Sequence, residues 1–363
     1  MHQTPLHAEY ERLGAKVVDF HGWALPVQFS GILDEHAHTR SKTGIFDCSH
    51  MGEFLIKDEA GVAAFDRLVF SDVRSIPIGR CRYTGILNAQ GGIIDDVVVL
   101  HPSPDQWHVI TNAGPLEKVA TLLAGQVPGL EDASSTTAKI DVQGPSSLDI
   151  LLSLGVREAA KLKYWDCGHA NWRGVPIILT RAGYTGELGY ELYVPDTIAV
   201  DIWRALLLHP EAAPCGLGAR NILRAEMGYP LNGEDMWEEK TPLEANMGRF
   251  IAWDSEFPGK DRILALRDKG DYNVLTAIRS TDRRAPRAGF EIKNDGRVVG
   301  HVTSGTFGPS VGTGVGLAYL PQPLAAHGTR LTAGPRNMDI VTSEVPLYEG
   351  GTCRMKIGAT LVS

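Results

Sequence analysis

Hydrophobic residues between positions 53 and 142 recur with two different spacings, which together predict a unit of mixed strands and helices. Alternating apolar and polar residues are typical of strands, whereas Val62, Phe65, Leu68 and Val69 repeat as on one helix face. Residues 88–92 end in two glycines, which accept positive φ and favour a hairpin turn. The pattern predicts strands over 53–57, 82–87, 93–101, 107–111 and 138–142, and helices over 61–69 and 117–123. This order indicates an α+β unit with its helices on one face of a mainly antiparallel sheet.

The rest of the chain divides into two parts with different patterns. Residues 146–227 predict a second mixed unit, whereas from Asn273 onward short β-rich segments alternate with turns such as Asn294-Asp295-Gly296. Regular turn signals of this kind favour a small β-barrel or sandwich. The charged and weakly patterned stretch 254–271 is the expected connector. In the second unit the pattern predicts helices over 146–154, 198–208 and 221–227, strands over 175–180 and 190–194, and a turn at 216–218.

Length and composition are those of a globular protein with two or three domains. The chain has 363 residues, of which 43% are hydrophobic and 21% charged, and its formal net charge is −8. That charge argues against a nucleic-acid partner, because such binding depends on clustered lysine and arginine. The first residues do not resemble a signal peptide, and no run reaches the roughly 18 apolar residues of a membrane helix. We therefore expect neither nucleic acid nor membrane as a partner.

The five cysteines are scattered, odd in number and never arranged as C-x-x-C. Such a pattern indicates reduced thiols rather than a disulfide framework. The expected compartment is the cytoplasm, with a mitochondrial matrix after removal of a transit peptide as the alternative. Cys48 follows the apolar residues Ile45 and Phe46, which favours a packed thiol over a nucleophile.

An acidic pair, Asp95-Asp96, interrupts the start of an otherwise apolar predicted strand. Adjacent strand residues point to opposite faces, so one carboxylate faces inward and the other outward. Burial beside apolar walls raises the pKa of a carboxyl group, which suits a general base or an electrostatic stabiliser. The alternative is that both carboxylates accept hydrogen bonds from backbone amides of the preceding turn.

Two glycine-rich segments carry further candidate side chains. Residues 183–191 contain three glycines in a tight loop, with Tyr184 near its start and Glu191 at its end. A carboxylate at that position can accept two parallel N–H bonds from a heterocycle, and the tyrosine can form an aromatic wall. Residues 216–220 end in Arg220, whose guanidinium suits a carboxylate or carbonyl. A surface hairpin and a surface ion pair are the corresponding structural alternatives.

Other familiar patterns are missing or incomplete. Residues 312–316 resemble a nucleotide-binding loop, but the following residues alternate like a strand. The chain has no G-x-x-x-x-G-K-[ST] or G-x-S-x-G segment. His36, His38 and the segment 166–169 have no partners at metal-ligand spacing, so we expect no metal.

In their order and spacing, several short motifs resemble those of the aminomethyltransferase (T-protein) family of the glycine cleavage system. They include the acidic pair, the glycine loop before Glu191 and the G-L-G-A-R run that ends at Arg220. Each motif is weak alone, but together they extend nearly to the C-terminus. The matching segments are residues 4–7, 18–23, 35–36, 44–53, 88–98, 143–145, 184–187, 216–220 and 303–305.

The resemblance implies a cloverleaf of three domains around a central channel that holds tetrahydrofolate. The expected domains are residues 1–50 with 140–250, residues 51–139, both α+β, and a C-terminal β-barrel over 272–363. By the same resemblance Asp96 is the catalytic aspartate, Glu191 grips the pterin and Arg220 contacts folate, while Asp95 is expected to support the turn. The remaining positions that match folate-lining residues are Tyr83, Val98, Tyr164 and Tyr184.

The implied reaction moves a one-carbon unit from the aminomethyl-lipoyl arm of the carrier H-protein to tetrahydrofolate. Ammonia and 5,10-methylenetetrahydrofolate are the implied products, and no metal takes part. In this scheme Asp96 accepts a folate proton or stabilises positive charge.

Some residues depart from the family pattern and keep rival functions open. Asn221 stands where aspartate is usual after G-L-G-A-R, a change expected to affect the support of the arginine. The first rival is a folate-dependent demethylase that acts on a small S-, O- or N-methyl donor without H-protein. The second is a non-catalytic folate-binding maintenance protein, whose K-C-x-G-C-Y-type segment is missing here. The other departures are His21, Cys48, Asn232 and Phe250.

Overall fold

Within residues 1–357, which the computed structural model describes, the strands form three sheets and one two-stranded ribbon. The helices are α1 His7–Arg12, α2 Ile32–Ser41, α3 Glu59–Asp66, α4 Leu116–Gln126, α5 Ser147–Ser153, α6 Ala199–Leu207, α7 Leu217–Met227 and α8 Lys260–Lys269. The strands are β1 Lys16–Phe20, β2 Trp23–Gln28, β3 Thr43–Asp47, β4 Gly52–Ile56, β5 Arg80–Leu87, β6 Ile93–Ser103, β7 Gln106–Thr111, β8 Glu131–Asp132, β9 Thr137–Gln143, β10 Cys167–Trp172, β11 Val175–Thr180, β12 Gly189–Pro195, β13 Ala212–Pro214, β14 Asn273–Ser280, β15 Glu291–Asn294, β16 Arg297–Gly308, β17 Thr313–Pro321, β18 Arg330–Ala333 and β19 Met338–Ser343. Short 3-10 turns lie at Arg157–Lys161, Asp196–Ile198, Gly248–Phe250 and Gln322–Leu324.

The five-stranded sheet has the order β5-β6-β7-β4-β8, and every neighbouring pair is antiparallel. Helices α3 and α4 cover one face, where Phe65 and Val119 share an apolar core with Phe54. This arrangement confirms the predicted α+β unit. From Asp95 onward, alternation along β6 sends Asp95 and the valines at 97 and 99 to the helix side, and residues 96 and 98 to the opposite face.

The strand predicted over 138–142 does not close this unit, contrary to the sequence-based expectation. Strand β9 instead lies between β12 and β3 in a second sheet, and the short β8 pairs with β4. The reason is that hydrophobic alternation specifies the two faces of a strand but not its neighbours. The neighbours of a strand are decided by contacts between residues far apart in sequence.

The six-stranded sheet has the order β10-β11-β12-β9-β3-β13 and is antiparallel except for the β3–β13 pair. One face packs against α1, α5 and α6, represented in the core by Tyr10, Ile150 and Trp203. Ala138, Ile140 and Val142 of β9 join that core. Lys139 and Asp141 therefore point to the opposite face.

Helix α7 begins earlier than the sequence predicts. Gly216 is its N-cap and Leu217 its first residue, so Arg220 lies in the first turn. The prediction was wrong because it treated the glycines at 216 and 218 as turn residues. A Cβ at either position would collide with Val27 or Ile32, so glycine serves here to let α7 pack closely on neighbouring segments.

The C-terminal part is a closed barrel of strands β14-β17-β16-β15-β18-β19, which confirms the predicted barrel. The hairpin between β15 and β16 turns at Asp295 and Gly296, with φ of 49° and 79°. The stretch 254–271 contains α8, which the sequence did not predict because Ile263 is its buried residue and no apolar stripe results. The expected domain boundaries stay predictions, and residues 358–363 of the third domain lie outside the described residues. No helix within residues 1–357 is long and apolar enough to cross a bilayer.

Candidate active site

A cavity of about 1700 Å³ is lined by residues from all three sheets. Ile110 of the five-stranded sheet, Lys139 of the six-stranded sheet and Leu317 of the barrel each contribute to its wall. A concave surface with a few polar groups among apolar ones is typical of a small-molecule site. The structure brings all seven sequence-predicted residues to this wall: Tyr83, Asp96, Val98, Tyr164, Tyr184, Glu191 and Arg220.

The acidic pair is held by Asn112, which follows β7. Its side-chain amide donates to Oδ1 of Asp95 at 2.7 Å and to Oδ1 of Asp96 at 2.9 Å, and its backbone N–H donates to Oδ2 of Asp95 at 2.9 Å. The hydroxyl of Tyr83 donates to Oδ2 of Asp96 at 2.9 Å. Asp96 therefore faces the cavity with both carboxylate oxygens engaged, while Asp95 is fully buried behind it.

Asp95 does not support the preceding turn, so that expectation was wrong. The side chain of Asn88 accepts the turn amides, with N–O distances of 3.0 Å from Gln90 and 2.9 Å from Gly92. Asp95 instead orients Asn112, a residue that the sequence analysis missed. Its position beside the acidic pair depends on the pairing of β6 with β7, for which the local sequence carries no signal.

Burial sets the protonation of this pair. It raises the pKa of Asp96 to about 6, while the hydrogen bonds from Tyr83 and Asn112 act in the opposite direction. Burial, followed by the neighbouring charge of Asp96, raises the pKa of Asp95 well above its usual range. A carboxyl group with a pKa near neutrality at a cavity wall is suited to accept a proton at physiological pH.

Glu191 on β12 is more heavily engaged than the sequence suggests. Its Oε1 accepts from Nζ of Lys139 at 2.9 Å, and its Oε2 accepts from the hydroxyls of Thr180 and Tyr193, each at 2.9 Å. A carboxylate offers about four acceptor positions, so about one is left for a ligand. The prediction that Glu191 offers two free, parallel acceptor positions was therefore wrong.

Arg220 is anchored by Asp141 rather than by its neighbour in sequence. Its Nη1 donates to Oδ2 of Asp141 at 3.0 Å, and its guanidinium lies 5.0 Å from the ring centroid of Tyr184. Asn221 instead accepts from Nε of Arg224 at 2.9 Å, so the expected effect of this departure on Arg220 was wrong. Lys139 and Asp141 were also missed, although two charges alternating with apolar residues along β9 are a usable signal.

The other departures are divided between cavity and core. His21, Asn232 and Phe250 line the cavity, and the Phe250 ring packs edge-on against Tyr83 with centroids 5.4 Å apart. Cys48 is fully buried, and burial raises the pKa of its thiol to about 12, which confirms the packed thiol.

His36, for which the sequence predicts no metal, contacts a buried arginine–glutamate pair. Nε2 of His36 lies 2.9 Å from Oε2 of Glu226, which also pairs with Arg40. Among the side chains of residues 1–357, no three of His, Cys, Asp and Glu are grouped as metal ligands.

The cavity and the carboxyl group with a raised pKa at its wall are those of an enzyme with an acid–base site for a small molecule. Residues 6–255 match the family described as the GCVT N-terminal domain, and residues 274–349 match the glycine cleavage T-protein C-terminal barrel domain. The chain therefore belongs to the glycine cleavage T-protein family, as its motifs suggested.

Similar proteins span nearly the whole chain. An aminomethyltransferase of Halothermothrix orenii is 35% identical over 357 residues, covering 96% of this chain and 99% of the relative. One from Halalkalibacterium halodurans is 36% identical over 359 residues, covering 96% and 98%. The crystal structure of the glycine cleavage system aminomethyltransferase T from Bartonella henselae superposes with a TM-score of 0.90 at 28% identity, covering 97% of this chain and 99% of that chain.

Proposed function

We propose that this protein transfers the one-carbon unit from the aminomethyl-lipoyl arm of H-protein to tetrahydrofolate, with release of ammonia. The aminomethyltransferases of Halothermothrix orenii and Halalkalibacterium halodurans each cover 96% of the chain, and the similar T-protein structure has the same fold over 97% of it. These comparisons do not favour the demethylase. The function is therefore that of a glycine cleavage aminomethyltransferase.

The cavity residues suit a reduced folate as co-substrate. Tyr83, Tyr184 and Phe250 provide aromatic surface for a planar heterocycle, and Glu191 keeps an acceptor position for a ring N–H. Arg220 provides a fixed cation for a carbonyl or carboxylate. Bound tetrahydrofolate supplies the nucleophilic nitrogen that takes up the one-carbon unit.

Asp96 carries the chemistry in this proposal. Its carboxylate lies at the cavity wall, held by Tyr83 and Asn112 and with a pKa of about 6. That single observation supports a residue that is ionised at neutral pH yet readily protonated. Asp96 either accepts the proton released at the attacking nitrogen or, while ionised, stabilises positive charge that develops at the transferred carbon. The apolar wall around it excludes water from the reaction.

Partner and compartment follow from the same proposal. H-protein is the donor, and no nucleic acid or metal takes part. The cytoplasm is the proposed compartment because all five cysteines are free thiols, as in a reducing environment. No observation favours the mitochondrial matrix. The three-domain division at residues 1–50 with 140–250, 51–139 and 272–363 belongs to the proposal as well.

An assay of ammonia release tests this function. Purified protein is mixed with aminomethylated H-protein, with and without tetrahydrofolate. We expect ammonia release that depends on folate, together with formation of 5,10-methylenetetrahydrofolate. Absence of folate-dependent release, with transfer from a small methyl donor instead, would overturn the proposal in favour of a demethylase.

A further inference from the structure

Four largely buried side chains of alternating charge form a row along the cavity wall. The reaction described above assigns no role to the lysine in this row of charges. Lys139 lies on the cavity face of β9, and its side chain is only 2% exposed. Its ammonium contacts Oδ1 of Asp141 on one side and Oε1 of Glu191 on the other. Asp141 in turn pairs with Arg220, so the order of charges is Glu191, Lys139, Asp141, Arg220.

The electrostatics of this row of charges favour the charged forms of Lys139 and Asp141. Burial lowers the pKa of Lys139, but Asp141 and Glu191 outweigh burial and hold that pKa above its usual range. Burial acts to raise the pKa of Asp141. The positive charges of Lys139 and Arg220 outweigh burial, so the pKa of Asp141 lies below its usual value. Burial by itself would favour the protonated form of a carboxyl group. Lys139 is therefore the direct counter-charge of Glu191.

The other groups near Glu191 do not provide its counter-charge. Glu53 on β4 faces the same pair, and burial raises its pKa to about 8, so it is mostly uncharged at neutral pH. Tyr193 donates to Glu191 as a neutral phenol, because burial raises its pKa well above the usual value. Arg220 is engaged by Asp141. The other titratable groups around this row of charges are Cys48, His50, Cys81 and Tyr184.

We propose that Lys139 is a positioning residue that supplies the counter-charge of Glu191 and holds its carboxylate in one orientation for the folate ring. This inference rests on the proposed function. The contact of Lys139 at Oε1, with Thr180 and Tyr193 at Oε2, directs the remaining acceptor position of Glu191 toward the cavity. Loss of Lys139 removes this cation and favours the protonated form of Glu191, which presents a hydroxyl donor where an acceptor is needed.

Tetrahydrofolate affinity across a range of pH tests the proposal. For Lys139→Met we expect the dissociation constant to rise about tenfold or more at pH near 7, and to recover at higher pH as Glu191 ionises. Lys139→Arg keeps the charge and restores most of the affinity. Titration calorimetry of the full chain with tetrahydrofolate under reducing conditions measures both effects without turnover.

Arg40 provides a matched control. It is a buried cation between two carboxylates, Glu187 and Glu226, each at 2.7 Å, and it does not line the cavity. We expect Arg40→Met to destabilise the protein while tetrahydrofolate affinity and its pH dependence stay as in the wild type. A comparable loss of affinity in Arg40→Met would assign the effect of Lys139 to general destabilisation and overturn the inference.

A charge-balanced variant keeps the test decisive if Lys139→Met does not fold. Lys139→Met with Asp141→Asn removes one charge of each sign, leaves Arg220 an acceptor, and still deprives Glu191 of its cation. We expect the same loss of affinity and the same recovery at high pH. Wild-type affinity and pH dependence in this variant overturn the inference but leave the proposed function intact. Failure of the wild type itself to bind tetrahydrofolate overturns both.

Discussion

The hydroxyl of Tyr83 donates to Oδ2 of Asp96 at 2.9 Å, although the two residues are 13 positions apart on neighbouring strands. In the register of β5 and β6, Tyr83 is paired with Val98, so its ring reaches diagonally along the cavity face to the carboxylate. This contact opposes the effect of burial on the pKa of Asp96. Proton uptake by Asp96 is therefore adjusted by a side chain on another strand.

Replacing the central carboxylate tests its chemical role. We expect Asp96→Asn to reduce the turnover number by about 100-fold or more, since general acid–base groups contribute about 10²–10⁴-fold. Folate binding should be retained, because the amide can still accept from Asn112 and face the hydroxyl of Tyr83. Ammonia release and folate titration measure the two effects. Turnover near that of the wild type with intact binding would contradict the role of Asp96.

The pH dependence of kcat/KM should show an acidic limb near 6, where Asp96 becomes protonated. Tyr83→Phe removes a donor that favours the ionised carboxylate, so the pKa of Asp96 rises and the limb moves up by about one pH unit. Tyr190→Phe is the control, since this buried tyrosine donates to the carbonyl of Ala159 in the core. An unchanged limb in Tyr83→Phe, or an equal shift in Tyr190→Phe, would count against the assignment.

Glu53 should make stability depend on pH. Burial raises its pKa in the folded state to about 8 from 4.5. The favourable contribution of its protonated form is complete below 4.5 and is lost as the pH rises through 8. From about pH 5 to pH 8 the free energy of unfolding of the wild type should fall by about 3 kcal/mol relative to Glu53→Gln. Denaturant titrations of both proteins measure this difference, and parallel pH curves would refute it.

The hairpin next to the acidic pair requires a glycine at position 92 for steric reasons, since the φ of Gly92 is not positive. A Cβ at Gly92 would overlap the carbonyl oxygen of Glu238, so Gly92→Ala should lower the free energy of unfolding by about 3 kcal/mol. Gly125, exposed in α4 with no heavy atom within 4 Å of an added Cβ, is the matched control. Gly125→Ala should be neutral or stabilise by up to about 1 kcal/mol. Equal thermal shifts in both variants would exclude the steric explanation.

Local sequence patterns predicted correctly those features that depend on a single strand or a single turn. Alternation along β6 separates Asp95 from Asp96 whatever the neighbouring strands are, because side chains alternate with a period of two. The turn at Asp295-Gly296 depends on residues that tolerate positive φ, so it was also predictable. Helix α8 was missed because it buries little apolar surface and has no periodic face.

Long-range contacts decided what local patterns left open. Asn112 reaches the acidic pair only through the pairing of β6 with β7, and Lys139 reaches Glu191 only because β9 lies beside β12. A strand carries the same alternation in either sheet, so its sequence alone does not select its neighbours.

The sequence by itself determined the family, the two α+β units and the barrel, and seven side chains that line one cavity. These follow from motifs and periodicities that each lie within a short segment. Only the tertiary structure decided which partners hold those side chains: Asn112 for the acidic pair, Lys139 for Glu191 and Asp141 for Arg220. The pKa of a buried carboxyl group depends on burial and on charges brought from distant segments, so it exists only once the chain has folded.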